Sequence, residues 1–183
     1  MSINNKDYTQ LFLKLINIIN DDENYNFDIF FDYHPVIDFE NKSDYPYDYL
    51  LFMEEIGQLE VISDGEKILM FDIAVSNEEL NYGELNINFS ENLNNLHIDL
   101  NPEYKIFGSR VDGEIFIFNT SYKPYEVLAI SEENEKEYKS FTNFFASIFL
   151  DLLNEFAYLE DLDMNHDVRV AFDNSFRQLK SLA

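Results

Sequence analysis

A chain of 183 residues that is 46% hydrophobic suits one globular domain, able to bury about 70% of the surface its unfolded form exposes. Twelve Lys and Arg stand against 36 Asp and Glu, a formal net charge of -24. Such a negative potential repels phosphate backbones and anionic headgroups, so neither nucleic acid nor membrane is expected as a partner, and it steers a basic protein inward.

The absence of cysteine rules out disulfides, thiolate metal ligands and cysteine nucleophiles. The start, "MSINNKDYTQ", has no basic segment followed by an apolar run, and no stretch approaches the roughly 18 uncharged apolar residues of a membrane span. A cytoplasmic location is the expectation.

Along the chain, Tyr8, Leu11, Phe12, Leu15, Ile16 and Ile19 recur at three-and-four spacing and predict an amphipathic helix ended by "NDDEN". Residues 27 to 34, "FDIFFDYH", are short enough to fit either an edge strand or a loop. A second helix is predicted from Pro46 to Gly57, with proline at the first helical position and glycine at the stop; Tyr49, Leu50, Phe52, Met53 and Ile56 would face the core.

The period then changes to two. "LEVISDGEKILMFDI" predicts a hairpin about Asp64-Gly65, while "ELNINF" and "LHIDL" alternate as half-buried strands. A second Asp-Gly turn, Asp112-Gly113, leads into a strand from Glu114 to Phe118, and "YEVLAI" follows a turn marked by Pro124. Helical spacing returns after Ser140, a candidate N-cap, with Phe141, Phe144, Phe145, Ile148, Phe149, Leu152, Leu153 and Phe156 in one stripe. Val168, Phe172, Ser175, Phe176 and Leu179 predict a last helix that docks on the domain. The fold class expected is α+β: one twisted antiparallel sheet of five or six strands, flanked by N-terminal and C-terminal helices, in a single domain spanning 1–183.

The order "YPYDYLLFMEEIG", "IFGSRVDGEIFIFN", "YEVLAIS", "SFTNFFASIFLDLL" resembles the SUKH superfamily, small proteins related to a fungal cell-wall assembly regulator, many of them immunity proteins of bacterial polymorphic toxin systems. Pro46, Tyr49, Phe52 and Gly57 match the opening helix of that pattern; Phe107, Gly108, Gly113 and Glu114 match its strand pair; Ser140, Phe141, Phe144 and Phe145 match its closing helix. Ile56 stands where the family usually carries Asn, and residues 160–183, a further C-terminal helix, have no counterpart in the family core. The resemblance implies a flanked antiparallel sheet and no catalytic residues.

A search for chemistry agrees with that expectation of a non-enzyme. His34, His97 and His166 have no second histidine at metal-ligand spacing, and the five glycines form no phosphate-cradling loop. In "DLDMNHD", Asp161, Asp163 and Asn165 match the first ligands of a calcium loop. His166 replaces its glycine, however, and Phe172 its bidentate glutamate, so an acidic connection between helices is expected. No cofactor and no metal are expected.

The functional expectation is an immunity protein that binds and neutralises a toxin effector, plausibly a basic nuclease, without cofactor or covalent change. The alternatives are a nucleic-acid-mimicking inhibitor of a DNA-processing enzyme and a non-catalytic regulatory scaffold. The candidate partner-binding residues are a set of acids taken as exposed, Asp44, Asp48, Glu54, Glu55, Glu132, Glu133 and Glu135, together with Tyr47. Tyrosine supplies contact area at low entropy cost. For the three tyrosines at the second helix two readings stand: a binding patch, or Tyr49 in the core, Tyr45 stapling the helix and Tyr47 alone exposed.

Overall fold

The computed structural model describes residues 5–21, 29–36, 42–76, 102–131, 133–156 and 166–183. The elements in chain order are α1 (Asn5–Asn20), β1 (Phe30–His34), a 3-10 turn (Lys42–Asp44), α2 (Tyr47–Glu55), β2 (Gln58–Ser63), β3 (Glu66–Ser76), β4 (Tyr104–Arg110), β5 (Ile115–Asn119), β6 (Glu126–Ile130), β7 (Glu135–Tyr138), α3 (Phe141–Phe156) and α4 (His166–Leu182). The architecture is α+β, with one antiparallel sheet in the sequential order β1-β2-β3-β4-β5-β6-β7. Among the described residues, seven strands exceed the five or six expected. β1 resolves the ambiguity of residues 27 to 34 in favour of an edge strand, and β7 forms from "EKEY", whose charge conceals it from hydrophobic patterning. The predicted strands "ELNINF" and "LHIDL" lie outside the described residues.

Alternation along the strands sorts their side chains onto two faces. Phe116 and Phe118, Val127 and Ala129, Phe71 and Phe107 join the larger cluster with the helices. Ile115 and Ile117, Leu128 and Ile130, Met70 and Ile106 form a second buried cluster. Burial on both faces accounts for the near-continuous apolar runs "IFIF" and "VLAI". An open apolar sheet face is therefore not what these central strands offer a partner.

The larger cluster is aromatic. Phe107 stacks on Phe118 at 4.3 Å, Phe12 meets Phe145 edge-on at 4.6 Å, and Phe116 meets Phe144 edge-on at 4.9 Å. These ring contacts lock α1 and α3 to one another and α3 to the sheet, each adding about 0.5–1.5 kcal/mol beyond area burial. The predicted face of α1 is buried as expected, from Tyr8 through Ile19, and Phe172, Ser175 and Leu179 seat α4 against α1 and α3.

Two local devices fix the frame. Gly57, at φ +77°, ends α2 as predicted, and a Cβ there would lie 2.0 Å from the His34 carbonyl oxygen. Pro46 sits one position earlier than expected, as the residue that precedes the helix. The β3–β4 register shifts between Phe71 and Val75, and the Tyr49 hydroxyl serves the backbone there: it accepts from Ala74 N–H at 3.3 Å and donates to the Asp72 carbonyl at 3.4 Å. A bulge leaves polar groups that would otherwise be buried unmatched.

Candidate partner-binding site

An open cleft of about 750 Å³ lies where the start of α2, the β5–β6 turn, the β7–α3 connection and the end of α4 converge. Pro46 and Tyr47 form one wall, the turn carrying Tyr122, Lys123 and Pro124 forms another, and Lys139, Ser140 and Asn143 close the side towards α3. Tyr47 is 59% exposed and Tyr122 is 55% exposed. Single exposed apolar side chains are ordinary, but two exposed rings on the walls of one cleft mark a surface of interest. Tyr45 and Tyr49 are core, Tyr45 meeting Phe118 at 5.6 Å and Tyr49 meeting it at 4.8 Å. Of the three tyrosines at α2, Tyr47 alone is exposed.

Hydrogen bonds tie the walls together. Asp44 accepts from Lys123 Nζ at 2.8 Å and from the Tyr125 hydroxyl at 3.3 Å. The Lys123 ammonium, by that hydrogen bond first, holds the Asp44 carboxyl below the usual range, while burial outweighs every other influence on Tyr125 and raises its phenol. Asn143 Nδ2 donates to the carbonyls of Leu182 at 2.8 Å and Ala183 at 2.6 Å, which fixes the end of α4 at the cleft rim.

Asp48 corrects the expectation that it is an exposed acid. It is 8% exposed, and one carboxylate oxygen accepts from Thr142 N–H at 2.7 Å and Thr142 Oγ1 at 3.0 Å. The other oxygen accepts from Tyr49 N–H at 3.2 Å, and the Asp48 carbonyl accepts from the buried Tyr8 hydroxyl. Burial first, and then the Asp48 carboxylate, push the Tyr8 phenol far above its ordinary value. Asp48 therefore joins α2 to the N-terminus of α3, with both carboxylate oxygens engaged within the chain.

The other predicted residues divide. Tyr47 lines the cleft and Asp44 braces it. Glu54 and Glu55 are exposed at the far end of α2, outside the cleft, where Glu55 accepts from Gln10 Nε2 at 3.4 Å. Glu133 and Glu135 are exposed beside and on β7, and Glu132 lies outside the described residues. Sequence reasoning missed Tyr122, Lys123, Glu137 and Lys139. "SYKPY" offered two tyrosines and a lysine around the proline, but it registers only as a turn.

Among the described residues, no group of three or more His, Asp or Glu could hold a metal ion. His34 lies 3.5 Å from Asp32 on the exposed end of β1, and His166 is exposed at the start of α4. The calcium-like positions Asp161, Asp163 and Asn165, and His97, lie outside the described residues. Among those residues no helix is long and apolar enough to cross a membrane. A second groove of about 670 Å³, between α1, β1 and α4, is lined by Leu13, Ile18, Tyr33, Val168 and Ala171 and contains none of the predicted residues.

Comparison of the chain with family models, with curated proteins and with solved structures finds no match in any of the three.

Proposed function

We propose that the protein is a SUKH-like immunity protein that binds and neutralises a basic toxin effector in the bacterial cytoplasm, without catalysis. The observation that carries this reading is the cleft walled by exposed Tyr47 and Tyr122 on a chain of net charge -24. Tyrosine anchors supply desolvated contact area, and the net negative charge of the chain raises the association rate of a cationic partner while disfavouring acidic ones. The antiparallel sheet flanked by helices is consistent with the architecture that the resemblance implies.

The toxin encoded beside the gene is the natural probe. Co-expression should restore growth to cells carrying that toxin, and the two chains should co-purify, with the complex forming more slowly as salt is raised from about 0.05 M to about 0.5 M because screening shortens the steering range. No rescue, together with no complex at low salt, would overturn the reading.

A further inference from the structure

The two edges of the sheet differ. At β1, the Asn20 side chain donates Nδ2 to the Phe31 carbonyl at 2.7 Å and accepts from Phe31 N–H at 2.8 Å, so an amide imitating a strand serves the outward backbone of that edge at Phe31. At β7 no described residue does the same.

The β6–β7 register pairs Val127 with Tyr138, Leu128 with Glu137, Ala129 with Lys136 and Ile130 with Glu135, and the hairpin closes with Ser131 N–H donating to the Asn134 carbonyl at 2.8 Å. Antiparallel ladders alternate between pairs that exchange hydrogen bonds and pairs that do not. Counting from the closing pair, Lys136 and Tyr138 bond to β6, which turns the N–H and C=O of Glu135 and Glu137 away from it. Period-two geometry also places the Glu135 and Glu137 side chains on one face, and both residues are exposed. The strand thus presents two outward backbone pairs, each on a carboxylate-bearing residue.

We propose that β7 accepts an extended segment of a basic partner as an eighth strand, bonded through the backbone of Glu135 and Glu137, with lysine or arginine at alternate positions opposite their carboxylates. Main-chain bonds supply affinity in strand addition and the alternate side chains supply specificity. Opposite charges directly across a ladder stabilise it, whereas like charges destabilise it. A second copy of this chain is disfavoured for that reason: two β7 strands would set glutamate against glutamate. The same carboxylates protect the edge from indiscriminate pairing, so guarding and selecting are one device. Glu137, Tyr138 and Lys139 also line the cleft, and a strand added to β7 continues towards Tyr47 and Tyr122. The inference deepens the proposed function, in that it names the part of the basic partner that docks.

The test is an amide-resolved NMR titration with a synthetic heptapeptide, Thr-Arg-Val-Arg-Val-Arg-Thr. Three controls accompany it: the peptide with Glu in place of Arg, the peptide N-methylated at alternate positions in each of the two registers, and the Glu135→Lys/Glu137→Lys protein, whose melting temperature verifies folding. The expected result is at least tenfold slower hydrogen exchange at the Glu135 and Glu137 amides with the arginine peptide. At least tenfold weaker binding is expected for the glutamate peptide and for one of the N-methylated peptides, and the lysine variant should prefer the glutamate peptide. Shifts spread over the acidic surface and insensitive to N-methylation would overturn the proposal, as would a β7-to-β7 dimer at the same concentration. If the toxin complex forms with full affinity on the lysine variant, the inference falls and the immunity reading stands. If the peptide docks on β7 but no toxin is neutralised, the reverse holds.

Discussion

Asp48 on α2 and Thr142 on α3 are joined by two hydrogen bonds to a single carboxylate oxygen, from the Thr142 amide at 2.7 Å and its hydroxyl at 3.0 Å. The first turn of α3 carries no acid of its own. Ser140 caps one amide, that of Asn143, at 3.1 Å, and Asp48 brings from another helix the negative charge that the N-terminal end of a helix dipole favours. Asp48→Ala should therefore destabilise the fold by about 1–3 kcal/mol, since it leaves a buried amide and hydroxyl unmatched. Asp48→Asn, which keeps an acceptor, should lose less. Urea midpoints check both. Partner affinity, compared where each variant is fully folded, should stay within about twofold; a large loss there would restore Asp48 as a contact residue.

That relationship also shows how far the chain could be read in advance. α1, α2, the Asp64-Gly65 hairpin, β5, β6, α3 and α4 all announce themselves through apolar spacing, because each buries one face or both. β7 does not, because its stability comes from backbone pairing with β6 while three of its four side chains stay in water. Tyr47 was legible as an exposed ring beside a helix start. Asp48, one residue on, reads in sequence as one more exposed acid, and only the arrival of α3 from 94 residues away makes it a buried cap. The cleft is long-range in the same sense: its walls come from five separate stretches of chain, Tyr8 of α1 among them.

Gly57 and Gly108 should resist alanine for different reasons. At Gly57 both the positive φ and the backbone of His34 and Pro35 oppose a Cβ, so Gly57→Ala forces the α2–β2 connection to move. At Gly108 the obstacle is the Met70 carbonyl oxygen at 2.7 Å, with the Phe116 and Phe71 rings at 2.8 and 2.9 Å. Two of these three obstacles are rings, which can shift, whereas all three at Gly57 are backbone and its φ is positive; overpacking of the Gly108 kind costs about 1–3 kcal/mol. Thermal melts should rank Gly57→Ala below Gly108→Ala and both below the parent protein. The reverse order would mean that β4, whose register against β5 shifts between Ile106 and Gly108, is stiffer than the end of α2.

Glu114 predicts a pH effect of definite sign. Burial is the main influence raising its carboxyl above the ordinary glutamate value, with Asp112 and Asp151 adding to the rise and Arg110 and Lys136 opposing it. A carboxyl whose folded pKa is raised binds its proton more tightly in the folded state, so its contribution to stability is fully present below its unfolded pKa of about 4.3. That contribution is lost as pH climbs through the raised value. Glu114→Gln, which keeps the side chain neutral, should be more stable than the parent at pH 7, with the advantage fading towards zero below about pH 4. Asp151→Asn should act in the same direction and more weakly. Urea midpoints measured from pH 4 to pH 8 decide it: a parent protein more stable than Glu114→Gln at pH 7 would mean that the attraction of Arg110 and Lys136 outweighs burial.

Tyr47 and Tyr122 separate stability from binding. Both rings are more than half exposed, so truncation to alanine removes little buried area and should change unfolding free energy by no more than about 0.5 kcal/mol. In a contact centre the same truncations should each weaken the complex by about tenfold or more, because a desolvated aromatic anchor is worth about 2 kcal/mol or more. Tyr45 is the control. Its ring lies 5.2 Å from Tyr125 and 5.6 Å from Phe118, with Lys105 Nζ 5.3 Å from its centroid, and Tyr45→Ala should cost stability of order 3–5 kcal/mol. Matched melts and toxin-binding isotherms for the three variants test the assignment. If Tyr47→Ala and Tyr122→Ala bind as the parent does, the cleft is not where the partner sits, and the acids of α2 and β7 must carry the interface without it.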